Sequence, residues 1–237
     1  MRNTHRAFTI CLFGPDGSGK STLARLLRGY LYSQGVYARV SWFRGSHLFA
    51  SVLARFLSHF TSLKGYRNPY YGIIVPSKLR PLWVLVEFSS LLPHYLLRRF
   101  LSLFHPVIGD RGLLDFVVWI IVTLDYPRFL SSLIGRFLAR LAVKEKNVHV
   151  KADPATLLRR VADIPPSFLV KEIACYNVLA KYYAECVINT TNRTPKESLR
   201  ELLRCMHDTK EGVDLAWQYK IGERDSYIIY NDMNNSM

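Results

Sequence analysis

Short apolar runs recur along the chain at 8–13 (FTICLF), 36–43 (VYARVSWF), 106–109 (PVIG), 147–152 (NVHVKA) and 185–190 (ECVINT). Runs of this length, bounded by turn or charged residues, read as buried strands of a parallel sheet. Longer segments with a helical period lie between them. Lys20 to Gln34 places Leu23, Leu26, Leu27, Tyr30 and Leu31 on one side, and Gly35 closes it. Helices are also predicted over 47–60, over 82–104 with a kink at Pro93, and over 113–124 and 128–143, separated by Pro127. Asp153-Pro154 carries the cap-then-proline signature of another helix start, and helices over 167–184 and 194–206 complete the series. The stretch 64–81, with three prolines and two glycines, reads as a loop. Strands alternating with helices predict an α/β fold, with a five-stranded parallel sheet covered by helices on both faces.

At 237 residues the chain fits one such domain, predicted over 1–212, followed by a tail over 213–237 with no assignment. With 49% hydrophobic residues it is neither disordered nor a repeat fibre. Cys11, Cys175, Cys186 and Cys205 form no CxxC pair and have no histidines at zinc spacing. Zinc-finger and disulfide-scaffold readings therefore fail, and reduced thiols in a cytoplasmic protein are expected. The N-terminus runs into a glycine-rich loop without a small-residue cleavage site, a poor signal peptide. The most apolar stretches, 82–97 and 113–124, are broken by Glu87, Pro93 and His94 or contain Asp115. Neither reaches the roughly 18–20 uninterrupted apolar residues of a membrane span. Both are expected to be core helices rather than transmembrane segments.

Charge changes the picture of partners. The formal net charge is +14, and residues 1–105 hold 14 Lys/Arg against two acids, Asp16 and Glu87. Such a half-chain attracts polyanions: nucleotides, nucleic acid or an anionic membrane surface.

The chemistry starts at Gly14-Pro15-Asp16-Gly17-Ser18-Gly19-Lys20-Ser21-Thr22, which fits G-x-x-x-x-G-K-[ST] between a predicted strand and a predicted helix. Glycines allow successive backbone N–H groups to point at one anion, and the helix N-terminus adds its partial positive charge. Lys20 is expected to reach the β- and γ-phosphates of ATP, and the Ser21 hydroxyl to ligate Mg²⁺. Asp16 is the odd residue, because a carboxylate repels an anion. It is expected to turn away toward a hydroxyl or a cation, on the acceptor side.

Asp110-Arg111 stands at the end of the third predicted strand, where ligands of open α/β sheets bind. Asp110 is a candidate for Mg²⁺ or for accepting a proton, and Arg111 for clamping a phosphoryl oxygen. Trp42-Phe43-Arg44-Gly45 ends the second strand, and there Arg44 is a candidate for an acceptor phosphate. The two aromatic residues before it read more readily as core than as a stacking platform.

GPDGSGKST at 14–22, the Asp110-Arg111 pair and DPATLLRR at 153–160 resemble thymidylate kinases and their P-loop nucleotide-kinase relatives. The resemblance runs in order from about residue 8 to 206. It implies a three-layer P-loop NTPase fold, transfer of the ATP γ-phosphate to a nucleoside monophosphate, most simply dTMP, and Mg²⁺ as cofactor. By the same resemblance Asp16 contacts the acceptor sugar, Arg111 and Arg44 its phosphate, and a lid near 159–175 brings in Arg159 and Arg160. The chain departs from the family at Gly112, where a tyrosine is usual, at Gly45-Ser46-His47, and in a lid poor in arginine.

Two other readings stay open. One keeps the kinase and changes the acceptor to a nucleoside or another small hydroxyl compound, with Glu87 as a base or, more simply, as the partner of an arginine. The other is a non-catalytic P-loop protein on a membrane surface or nucleic acid, with Arg98-Arg99-Phe100 and 129–143 supplying the contacts. A second copy of the chain is kept open as a partner.

Overall fold

The computed structural model describes residues 8–42, 48–65, 70–161 and 163–212. Five strands, β1 (Thr9–Phe13), β2 (Arg39–Trp42), β3 (Val107–Asp110), β4 (Lys146–Lys151) and β5 (Cys186–Asn189), form one sheet in the order β2-β3-β1-β4-β5. Every pairing is parallel, with Leu12 of β1 in register with Asp110 on one side and Val148 on the other. All five residues of the central strand β1 are buried. That is why its sequence is uniformly apolar rather than alternating.

The helices are α1 (Lys20–Ser33), α2 (Leu48–Leu57), α3 (Arg80–Leu101), α4 (Leu113–Leu124), α5 (Leu133–Ala142), α6 (Pro154–Arg160), α7 (Pro166–Tyr183) and α8 (Pro195–Gly212). They divide into two layers. On one face α1 lays Leu23, Ala24, Leu27 and Leu31 against Ile10, Leu12, Ile108, Val148 and Ile188 of the sheet, joined by Leu202 of α8. On the other face lies a larger core around α4, whose twelve residues are all buried. A helix apolar on every side has no polar face to offer water, so it must be the inner helix of its layer. The architecture is the predicted three-layer α/β fold with a five-stranded parallel sheet.

Several expectations are corrected. Cys186 of β5 and Cys205 of α8 form a disulfide, while Cys11 and Cys175 are buried thiols. Spacing could not reveal the pair, since it depends on α8 folding back along the edge strand. The stretch 64–81 is not wholly irregular: Lys64 bridges Ile73, a short 3₁₀ turn occupies Ser77–Leu79, and α3 already starts at Arg80. Another, Pro127–Ser131, precedes α5 in place of the first turn of the helix predicted from 128. Glu87 accepts hydrogen bonds from the indoles of Trp83 and Trp119, at 3.1 and 3.3 Å. Arg98, read as a surface contact, is fully buried. Trp42 is 52% exposed rather than core. Phe43, Arg44 and the tail 213–237 lie outside the described residues. Among the described residues no helix is long and apolar enough to cross a membrane.

Candidate active site

The C-terminal ends of β1, β3, β4 and β5 converge on one edge of the sheet, and each delivers part of a single site. After Phe13 the chain turns through Gly14, Gly17 and Gly19, at φ 148°, 79° and 94°. A side chain at Gly14 is excluded on two counts, because its Cβ would also lie 2.1 Å from the Val150 carbonyl oxygen. Lys20 then opens α1. The first turn of α1 carries no acidic residue and no capping side chain. Its backbone N–H groups are thus left for an anion.

The Lys20 ammonium is held by the loop it serves. It donates to the carbonyls of Gly14 and Pro15, at 2.6 and 2.7 Å, and to Ser18 Oγ at 3.4 Å. Burial, reinforced by the nearby Arg111 guanidinium, pulls its pKa down to about 8. A cavity of about 420 Å³ opens over the loop, lined by Gly19, Lys20, Ser21, Arg111, Arg160 and Arg193 among others. Four cations border it against one carboxylate, Asp16. Such a field suits a polyphosphate.

Arg111 follows β3 in a left-handed conformation, φ 83°, which a non-glycine residue adopts only when its surroundings hold it there. Its N–H bonds the Leu12 carbonyl at 3.0 Å, and its own carbonyl accepts from Arg98 Nη2 at 2.8 Å. Arg98 also bonds the Ser41 carbonyl and hydroxyl, so this buried guanidinium ties β2, β3 and α3 together beneath the site. The twist aims the Arg111 side chain back over the glycine loop. There it pairs with Asp16 and lies 3.7 Å from Asp115. Burial works against the Arg111 charge, but Asp16 and the neighbouring acids outweigh it and the pKa rises. Asp16 also accepts the Tyr70 hydroxyl. Its carboxylate is therefore turned to a cation and a hydroxyl.

Asp110 is 6% exposed, and its Oδ1 has no hydrogen-bond partner. Arg160, at the end of α6, bonds the Gly17 carbonyl at 3.1 Å and the Thr190 hydroxyl at 3.2 Å. Arg159 bonds Thr156 within its own helix at 3.3 Å. The structure thus brings Arg160 to the glycine loop and does not bring Arg159. α6 itself starts as the sequence implied, with Asp153 accepting the Thr156 N–H at 2.9 Å.

Sequence reasoning noticed Asp115 only as a break in an apolar stretch. In the structure it is the buried junction of the site. It accepts the N–H of Gly112 at 2.7 Å, the Tyr176 hydroxyl at 2.9 Å and, more weakly, the N–H of Gly14 at 3.4 Å. Burial raises its pKa, although Arg111, Lys20 and these hydrogen bonds favour the charge. A carboxylate three residues after an N-cap Gly112 was the available signal, since that spacing caps a helix. Arg193 and Thr190, beyond β5, and Tyr70 and Tyr176 carried no sequence signal.

No protein-family model matches the chain, and no curated protein matches it in sequence. Solved structures do. A thymidylate kinase from Ehrlichia chaffeensis superposes with a TM-score of 0.53 at 17% identity, over 85% of this chain and 98% of its own. A thymidylate kinase from Candida albicans, whose structure is described as revealing the origin of broad substrate specificity, gives a TM-score of 0.60 at 14% identity. That match covers 86% of this chain and 93% of the other. The chain has a thymidylate kinase-like fold.

Proposed function

We propose that the protein is an ATP-dependent nucleoside monophosphate kinase, with dTMP as the first acceptor to test. The observation that carries this reading is the convergence of Lys20, Arg111 and Arg160 on one glycine-loop cavity at the carboxyl edge of the sheet. The two superposed thymidylate kinases support the choice of acceptor.

In this reading the ATP phosphates enter the cavity along the loop and the first turn of α1. The Lys20 ammonium exchanges the Gly14 and Pro15 carbonyls for the β- and γ-phosphate oxygens. Gly14, Gly17, Ser18, Gly19 and Thr22 supply loop backbone and its continuation into the helix. Arg111 holds the acceptor phosphate, with Arg44 as its expected second cation. Asp16, turned toward the acceptor side, is placed for a sugar hydroxyl. An acceptor phosphate oxygen attacks the γ-phosphorus, the bond from that phosphorus to the β–γ bridging oxygen breaks, and ADP leaves with the electron pair. When the acceptor phosphate is a dianion, no proton has to move. The protein's part is positioning and neutralisation of charge. Asp110, whose Oδ1 is buried without a hydrogen-bond partner, and Ser21, which lines the cavity, are the hard oxygen donors that would hold Mg²⁺. Mg²⁺ bound there would supply neutralisation of the β- and γ-phosphate charge. The segment 159–175 acts as the lid, with Arg160 its inner residue.

The test is ATP consumption with Mg²⁺ over an acceptor panel of dTMP, the other nucleoside monophosphates, nucleosides and no acceptor. Turnover with a monophosphate, lost in Lys20→Met, is the expected result. Turnover only with nucleosides would move the acceptor class. ATP binding without turnover on any acceptor would overturn the kinase reading.

A further inference from the structure

The largest feature that the proposed activity leaves unused is the outer face of α3. Leu82, Leu85, Leu96, Leu97, Phe100 and, just beyond the helix, Leu103 are each more than half exposed. They run along a helix of 22 residues, about 33 Å at 1.5 Å per residue. At about 200 Å² per large apolar side chain, these six expose on the order of 700 Å². A soluble monomer's largest apolar patch is usually about 300–600 Å². Beside the N-terminal half of α3 the stripe continues into an apolar groove of about 160 Å³, walled by Leu57, Leu63, Ile73, Val75, Leu82 and Trp83.

The exposed charge on α2, α3 and the segment joining them has one sign. Between Asp16 and Asp110 the sequence holds one carboxylate, Glu87. That carboxylate is 1% exposed and lies on the buried side of α3, against Trp83 and Trp119. The cations are exposed: Arg55 on α2, Lys64 and Lys78 next to groove residues, and Arg99 within the stripe. A second copy of the chain would set these cations against themselves, and the exposed carboxylate beside Arg80 at the start of α3, Asp125, already faces Lys171 at 3.7 Å. An anionic bilayer answers both properties, because its interior takes the leucine and phenylalanine side chains and its headgroups take the cations.

We propose that the α2–α3 face docks the protein on an anionic lipid bilayer, with the α3 stripe inserted at the interface and the groove receiving acyl-chain segments. Such docking is independent of the identity of the acceptor and of kinase activity.

Flotation of the full chain with vesicles tests it, comparing pure phosphatidylcholine with an equimolar mixture of phosphatidylcholine and phosphatidylglycerol. Flotation with the anionic vesicles alone is expected, weakened by salt as screening requires. The double substitution Leu96→Gln/Phe100→Gln should cut partitioning by about tenfold or more, through loss of two inserted side chains. Arg99→Glu should cut it less. Both sites face solvent, so unchanged melting curves are expected and confirm that the variants fold. Absence of flotation at low salt overturns the proposal, as does equal flotation of the double variant. A concentration-dependent dimer that the double variant dissociates, without flotation of the wild type, assigns the face to a second copy instead.

Discussion

Lys20→Met should separate the catalytic from the structural consequences of the glycine loop. The wild-type ammonium is buried among loop carbonyls with its pKa pulled from 10.5 to about 8. The folded protein therefore releases this proton near pH 8, whereas the unfolded chain keeps it until about 10.5. Between those values the unfolded state binds more protons, so raising the pH stabilises the fold. Below pH 8 this contribution is flat. The shift caps it at about 3 kcal/mol, and by pH 9.5 about 2 kcal/mol of it should have appeared, at about 1.36 kcal/mol per pKa unit. Methionine fills similar space without a titrating group. All other groups that titrate in this range are common to both proteins and cancel in the difference. Urea denaturation of both at pH 7 and pH 9.5 measures it: the wild type should gain about 2 kcal/mol relative to Lys20→Met. At pH 7 the variant should be folded, while the phosphoryl transfer proposed above falls by about a thousandfold or more. A wild-type-minus-variant stability that stays constant between the two pH values would refute the reasoning, because the ammonium would then not be held against desolvation at all.

Asp115→Leu should cost about 3–5 kcal/mol, since it strips Arg111 of one of its two carboxylates and leaves the Gly112 N–H and Tyr176 hydroxyl buried without a partner. Asp115→Asn, which keeps an acceptor in place, should cost about 1–2 kcal/mol, and equal losses in thermal melts would contradict the assigned hydrogen bonds. His149 stacks on Phe13, and burial holds its pKa at about 4, below the ordinary 6.5. Because the unfolded chain takes up the proton first, the fold should lose about 2 kcal/mol between pH 7 and pH 5, a loss absent in His149→Phe when both are denatured in parallel. Cys205→Ser opens a loop of 19 residues in sequence separation and should lower stability by about 3 kcal/mol. A reducing agent should lower the wild type by the same amount and leave the variant unmoved.

Much of the scaffold was legible because its signals are local. A run such as FTICLF has no polar face, so it can only be an inner strand. Three glycines, a lysine and a serine at fixed spacing predict a tight glycine loop wherever a strand precedes and a helix follows. α4 was placed at 113–124 from its apolar run alone, and its boundaries stand. These features depend on neighbours a few residues away. The partners of the site's side chains depend on distant ones. Asp16 meets Tyr70 and Arg111, Asp115 meets Tyr176, Cys186 meets Cys205, and Arg98 lies beneath Arg111 because parallel crossovers return separate segments to one sheet edge. No local period encodes that return. Of two adjacent arginines at 159 and 160, a turn of about 100° per residue sends one to the glycine loop and leaves the other on its own helix. The sequence by itself determined the strands, the glycine-rich loop between β1 and α1 and the excess of positive charge, because backbone period and residue type suffice for them. Only the tertiary structure decided which side chains share the buried site, because long-range packing sets those distances.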